Sequence, residues 1–241
     1  MPAHLRARLQ IRTTHRASVP HSASPGAVAH RRGHMDRATN LENRIRSSIE
    51  ASITTKQALL TDPGVVPILA KITEILVHAF RQGNKALFFG NGGSATDAQH
   101  MAAELVGRFA FDRPALPALS LAENLSAVTA IANDHGFEQV FSRQVEAFAR
   151  PGDVAIAIST SGNSLNVLRG ISTAKKLGAH TIALTGRPGG KLKQSADLDY
   201  CICVPSSETP RIQECHILIG HIISEFVERE LFHDQGRASG S

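Results

Sequence analysis

Phe88-Phe89-Gly90-Asn91-Gly92-Gly93-Ser94-Ala95-Thr96-Asp97-Ala98-Gln99-His100-Met101-Ala102-Ala103-Glu104 is the stretch whose reading decides the rest of the chain. An apolar run, Ala86 to Phe89, stops at three glycines and an asparagine, and Ser94 then opens a helical register. That order predicts a strand, a tight backbone turn and a helix N-terminus. Glycines at 90, 92 and 93 permit backbone angles and approaches that a Cβ forbids, so the first amides of the helix are expected to face an open crevice. Such a crevice suits an anion or a sugar hydroxyl. His100 and Glu104, four residues apart, fall on one helix face, where an imidazole and a carboxylate can share a metal ion or a proton. Most i,i+4 pairs of this kind are solvated surface pairs, and only the position behind a glycine-rich strand end raises this one.

Outward from that centre, short apolar runs alternate with helix-length segments. The runs are Ala86 to Phe89, Ala118 to Leu121, Val154 to Ile158, Thr181 to Leu184 and Tyr200 to Val204. Continuous apolar strands between helices predict an α/β fold, a parallel five-stranded sheet with helices on both faces. Ligands of such sheets sit beyond the carboxyl ends of the strands. Those ends carry Gly-Asn-Gly-Gly-Ser after Phe89, Ser-Thr-Ser-Gly-Asn-Ser after Ile158 and Thr-Gly-Arg-Pro-Gly-Gly after Leu184.

The segment Ser159-Thr160-Ser161-Gly162-Asn163-Ser164 precedes a helix predicted to begin near Asn163. Four hydroxyls and a glycine at a helix N-terminus can surround a phosphate monoester without a lysine. It is neither a Walker loop, which would end in Gly-Lys-Ser/Thr, nor a GxGxxG fingerprint. The plainer reading is a polar loop with a serine N-cap. Gln213, His216 and His221 on a last helix, about Thr209 to Phe232, are further candidates, although helical histidines are more often packed or solvated.

Two helices precede the first strand. Leu41, Ile45, Ile49 and Ile53 recur every four positions toward Leu60, where Thr61-Asp62-Pro63-Gly64 stops the first. Ile68, Leu69, Ile72, Ile75, Leu76 and Phe80 mark the second, which ends near Gly83. This is more apolar stripe than one sheet face needs, so part of it is expected to pack against another subunit.

The chain has 241 residues, enough for one full core. Residues 1 to 35 hold six arginines and no lysine or acid, +6 against +5 for the whole chain, which leaves the body at −1. That body has no basic surplus for nucleic acid. The leader is poor in large apolar residues and is expected to be disordered, ahead of a natural start at Met35; its composition also fits an organellar transit peptide. No secretory segment or run of 18 apolar residues occurs, so neither export nor a membrane span is expected. Three cysteines without CxxC spacing are expected to be reduced thiols in the cytosol.

Taken together, G-N-G-G-S with D-A-Q-H-M-A-A-E-L, then A-N-D-H-G-F-E, S-R-Q-V, S-T-S-G-N-S, G-R-P-G-G and T-P-R-I-Q-E-C-H-I-L-I-G-H resemble the phosphoheptose isomerases of the sugar isomerase (SIS) domain family. The likeness runs in order from about Leu41 to Phe232, so residues 36–241 are read as one SIS domain. It implies a cytoplasmic homotetramer converting sedoheptulose 7-phosphate to glycero-manno-heptose 7-phosphate, for envelope heptose synthesis. By motif, Asn91, Gly92, Gly93, Ser94, Asn133, Asp134 and Gln213 touch the sugar, with Glu104 among them, and Ser159, Thr160, Ser161 and Ser164 hold the phosphate. His100, Glu104, Gln213 and His221 match zinc positions, and Glu104 and His221 match the proton-transferring pair. Gln213 and His221 lie about 12 Å apart along a helix, so either both stretch to one ion or they serve different subunits. Spacing alone would let His216 replace His221; only the resemblance selects His221. A non-catalytic relative, of the type that binds replication initiators, lacks counterparts of Glu104 and His221. An isomerase of another sugar phosphate would keep every motif.

Overall fold

The computed structural model describes the backbone of residues 25–232, with side chains from residue 40 onward. The part of the leader before Pro25 lies outside the described residues. The first helix, α1 (Pro25–Thr61), starts well before the stripe at Leu41, and the boundary expected at Met35 falls inside it. Proline is tolerated at a helix start because its missing N–H would have no partner there. Residues 48–241 make up the compact unit that carries the sheet.

In that unit, α2 (Val65–Arg81) leads into β1 (Ala86–Gly90), α3 (Gly93–Val106), β2 (Ala118–Ser120) and α4 (Leu125–His135). A single 3-10 turn, Phe137–Gln139, precedes α5 (Val140–Phe148), β3 (Val154–Ser159) and α6 (Leu165–Lys176). Then come β4 (His180–Gly186), the short α7 (Gly190–Lys193), β5 (Tyr200–Val204) and α8 (Thr209–Phe232). All five strands are parallel, in the order β2-β1-β3-β4-β5. The chain leaves β1 toward β2 on one side and returns to β3 on the other, so its switch point lies between the ends of β1 and β3. Gly90 and Ile158 are register partners there.

Both sheet faces are buried, which is why the strands read as unbroken apolar runs. Ala86 and Phe88 of β1, with Val154, Ile156 and Ile158 of β3, face a core shared with α2, α3 and α8. Leu87, Phe89, Ala155 and Ala157 face the opposite core, shared with α5 and α6. The alternation follows the two-residue repeat of the pleat. The small alanines of β3 leave room for the Phe89 and Phe141 rings, whose centroids are 5.2 Å apart.

Among the described residues, no single helix is long and apolar enough to cross a membrane. Leu41, Ile45, Ile49 and Ile53 of α1 are all exposed, and α4 has no buried residue.

Candidate functional site

The glycine turn is tighter than the sequence alone indicates. Gly92 takes a φ of 56° as the residue before α3. The amide of Ser94 bonds back to the Asn91 carbonyl, and those of Ala95 and Thr96 to Gly92, at 3.0 to 3.2 Å. These short-range bonds satisfy three amides expected to face the crevice, a usual way for a helix to close its first turn. The amides of Gly92 and Gly93 are left without a backbone partner. Ser94 is buried beneath Gly90, so its side chain supports the turn from below.

Across the switch point, the serine loop leads from β3 into α6, which begins at Leu165, two residues later than expected. Ser159 is buried, and its Oγ lies 3.4 Å from that of Ser164. Ser164 occupies the N-cap position, yet its hydroxyl makes no capping bond. The capping explanation of this serine therefore fails, and its hydroxyl remains available to a ligand. A Cβ on Gly162, whose φ is 64°, would lie 2.0 Å from the Gly189 carbonyl oxygen, so the loop rests on the Gly189-Gly190 turn backbone to backbone.

Asn166 was not apparent from the sequence. Its amide exchanges two hydrogen bonds with that of Asn91, each 2.9 Å, and joins the two loops. The available signal was a second asparagine in the first turn of the helix after the serine loop, where a polar side chain is buried only if it meets a partner.

His100, Glu104 and His221 converge. One ligand atom from each lies within 4.8 Å of the other two. His100 Nε2 and Glu104 Oε1 are 2.9 Å apart, and the His100 and His221 rings meet edge to face with centroids 5.1 Å apart. Two helices, α3 and α8, supply these groups, and Gly220 allows their approach: a Cβ there would come within 2.8 Å of Met101 Cγ on α3. The residue next to each side of that contact, His221 and His100, is thereby carried to the same place.

His216 does not substitute for His221. It is fully buried with neither ring nitrogen in a hydrogen bond of normal geometry. Burial pushes its imidazole down to about 4, opposed only in part by the Thr185 backbone. Gln213 lays its amide over Gly93 in the glycine turn, where a Cβ would come within 2.2 Å of Nε2. Asp97, one turn before His100, has a buried Oδ2 with no hydrogen bond, and burial pushes its carboxyl upward against the pull of His100. Asn133 and Asp134, at the end of α4, are exposed and bonded to each other at 2.8 Å, with no hydrogen bond to either loop.

The loop after α3 is held by one carboxylate. Glu228 of α8 accepts from the amides of Phe109, Ala110 and Phe111 and pairs with Arg113 at 2.9 Å, both side chains fully buried. Burial pushes the Glu228 carboxyl up, and those four donors more than reverse it. Arg113 also donates to the carbonyls of Glu104 and Leu105, closing the end of α3. This clamp sets Phe109 against His221, ring centroids 5.8 Å apart.

An imidazole pair and a carboxylate in this arrangement suit a zinc ion, which accepts nitrogen and oxygen donors, and equally suit proton transfer. The SIS domain family matches residues 67–186, a span that ends before α8. The phosphoheptose isomerase of Aneurinibacillus thermoaerophilus is 47% identical over 195 residues, 81% of this chain and 98% of that protein. That of Aquifex aeolicus is 58% identical over 160 residues, 66% of this chain and 83% of that protein. The structure of phosphoheptose isomerase from Neisseria gonorrhoeae superposes with a TM-score of 0.73 at 41% identity, over 78% of this chain and 98% of that one. With such identity over nearly the whole of these relatives, the chain belongs to the phosphoheptose isomerase family, built on the SIS domain.

Proposed function

We propose that the protein is an aldose-ketose isomerase that converts sedoheptulose 7-phosphate to D-glycero-D-manno-heptose 7-phosphate, a precursor step for bacterial envelope heptose. The observation that carries this reading is the meeting of Glu104 and His221, with Glu104 on the helix that follows a glycine turn tied to the end of the serine loop by Asn91 and Asn166. Family relatives bearing the name phosphoheptose isomerase support the choice of substrate.

In this mechanism Ser159, Thr160, Ser161 and Ser164 hold the phosphate and anchor the substrate far from its reacting end. Binding energy gathered there positions C1 and C2. One of Glu104 and His221 removes a proton from C1 of the ketose; the resulting enediolate takes a proton back at C2, while the other residue moves the hydroxyl proton from O1 to O2. Glu104 Oε1 is engaged by His100, which orients the carboxylate and leaves Oε2 for the substrate. Asn91, Gly92, Gly93, Asn133, Asp134 and Gln213 are assigned to the sugar hydroxyls, and Ser94 to the backbone of the turn beneath them.

His100, Glu104 and His221 fit a zinc site; Gln213, whose amide lies over Gly93, is assigned as the fourth ligand by its motif alone. Zinc bound there would polarise the carbonyl and favour the enediolate. The exposed apolar stripes on α1 and α4 support a homotetramer in which these faces are covered, and the free thiols support a cytoplasmic location.

The test is an NMR assay of the purified protein with sedoheptulose 7-phosphate, before and after chelation and with zinc restored. Appearance of the aldose, lost on chelation and regained with zinc, is expected. Binding of the sugar phosphate without isomerisation would leave a partner-binding SIS protein as the better account.

A further inference from the structure

The edge strand β5 carries Cys201 and Cys203, two residues apart and therefore on one face of the pleat. Their sulfurs are 3.6 Å apart, and both residues are free and partly exposed. Thr185, the register partner of Cys203 on β4, places its hydroxyl 3.1 Å from the Cys203 sulfur and 3.7 Å from that of Cys201. Lys193 and Arg187 add positive charge around Cys203. The neighbouring Cys201 thiol, followed by Thr185 and these cations, pulls the Cys203 thiol down to about 6 despite its partial burial, while Cys201 is pushed up. One sulfur of the pair is thereby made easier to ionise than a free thiol, and the other is held protonated beside it. Cys215, buried in α8, is pushed up by its surroundings.

We propose that Cys201 and Cys203 form a redox-active dithiol that hydroperoxides oxidise to a disulfide, and that its closure disturbs the serine loop. The Cys203 thiolate attacks a peroxide oxygen; the O–O bond breaks, giving a sulfenic acid on Cys203 and hydroxide or alkoxide, which takes up a proton. The Cys201 sulfur then attacks the Cys203 sulfur as its own proton leaves. The S–O bond breaks, the S–S bond forms and water departs. The two sulfurs lose two electrons and the peroxide gains them. Two residues of strand advance about 6.6 Å, within the Cα separations of about 4.4 to 6.8 Å that disulfides span. The sulfurs close by about 1.5 Å to bond, and the two Cβ atoms, parallel on the strand, must also approach to about 4.5 Å, so closure bends β5.

The link to the serine loop is a chain of direct contacts. A Cβ on Gly189 would lie 2.9 Å from the Cys203 sulfur, and one on Gly190 would lie 2.4 Å from the Ser161 carbonyl oxygen. The amide of Leu192 donates to the Gly162 carbonyl at 2.9 Å, and that of Lys191 to Asn163 Oδ1 at 3.0 Å. A shift of Cys203 therefore presses on the turn that carries Ser161 to Asn163. This second half of the proposal rests on the reading of that loop as the phosphate site.

The experiment treats the fully reduced protein with hydrogen peroxide, maps tryptic peptides by mass and titrates inorganic phosphate by calorimetry. The peptide 194–211, which holds both cysteines, should lose two hydrogens while Cys215 stays free. Cys201→Ser should stop at a sulfenic acid on Cys203 that dimedone traps, and Cys203→Ser should oxidise no faster than Cys215. Two intact thiols in 194–211 after treatment, or equal reactivity of the two variants, would overturn the dithiol. Phosphate affinity should fall several-fold on oxidation and recover with dithiothreitol; unchanged affinity in the oxidised protein would overturn the coupling. If the reduced protein binds no phosphate, the serine-loop reading fails and the coupling with it, and the peptide map alone decides the dithiol.

Discussion

Asn91 and Asn166 join the glycine turn to the serine loop through a reciprocal pair of side-chain hydrogen bonds, each 2.9 Å. Asn166 is buried and its Oδ1 also receives the amide of Val167, so its orientation is fixed. Asn166→Ala removes both bonds and strands the Asn91 amide. Urea unfolding should show a loss of about 1 to 3 kcal/mol, with kcat/KM falling because the two walls of the crevice no longer share a fixed spacing. Unchanged stability would mean that water replaces the pair.

Glu104→Gln preserves the size of the side chain and its reach to His100 while removing basicity. Turnover of sedoheptulose 7-phosphate should fall by about 10² to 10⁴-fold, the usual contribution of a positioned acid or base. Zinc content is measured on the same sample, since the carboxylate is also a proposed ligand. A variant with full zinc and full turnover would remove Glu104 from proton transfer.

Ser161→Ala and Ser164→Ala should raise KM and leave kcat nearly unchanged. A hydroxyl bonded to a charged phosphate contributes about 1.5 to 3 kcal/mol, or about a ten- to hundredfold change in KM. Ser164 is the sharper case, because its hydroxyl has no capping duty and its loss should not weaken α6. An unchanged KM in both variants would move the phosphate elsewhere.

His216 makes stability depend on pH. Its folded-state value of about 4 lies below the 6.5 of a free imidazole, so between those values the unfolded chain binds the extra proton. The contribution is fully present above pH 6.5 and is lost as pH falls toward 4, amounting to about 3 kcal/mol at the acid end. Denaturant midpoints measured across that range should decline, and His216→Leu should flatten the decline. An identical slope in the variant would assign the effect to other groups.

The strands were legible because each is buried on both faces. Tyr200–Val204 and the final helix Thr209–Phe232 fall where the apolar runs placed them, and the other strands differ by no more than two residues at an end. The glycine and serine loops were legible because their residue types have few other uses at strand ends. The choice of His221 over His216 was not, since both sit on α8 at helical spacing and only burial separates them. Asn166 escaped notice because its partner lies 75 positions earlier, a distance that no local pattern spans. Gln213 stayed ambiguous for the same kind of reason, its neighbour Gly93 being supplied by α3.

The Glu228 clamp has a consequence for the protein as it is made. Phe109 precedes the carboxylate that holds it by 119 positions. On the ribosome, β1 and α3 emerge early with His100 and Glu104 in place on their helix, but the loop that follows has nothing to grip and His221 does not yet exist. All five strands are translated before α8, so a nascent chain can complete its sheet and still lack chemistry. A premature stop within α8 would yield a product with the whole sheet and no activity, a null allele whose lesion lies far downstream of the motif that first draws the eye.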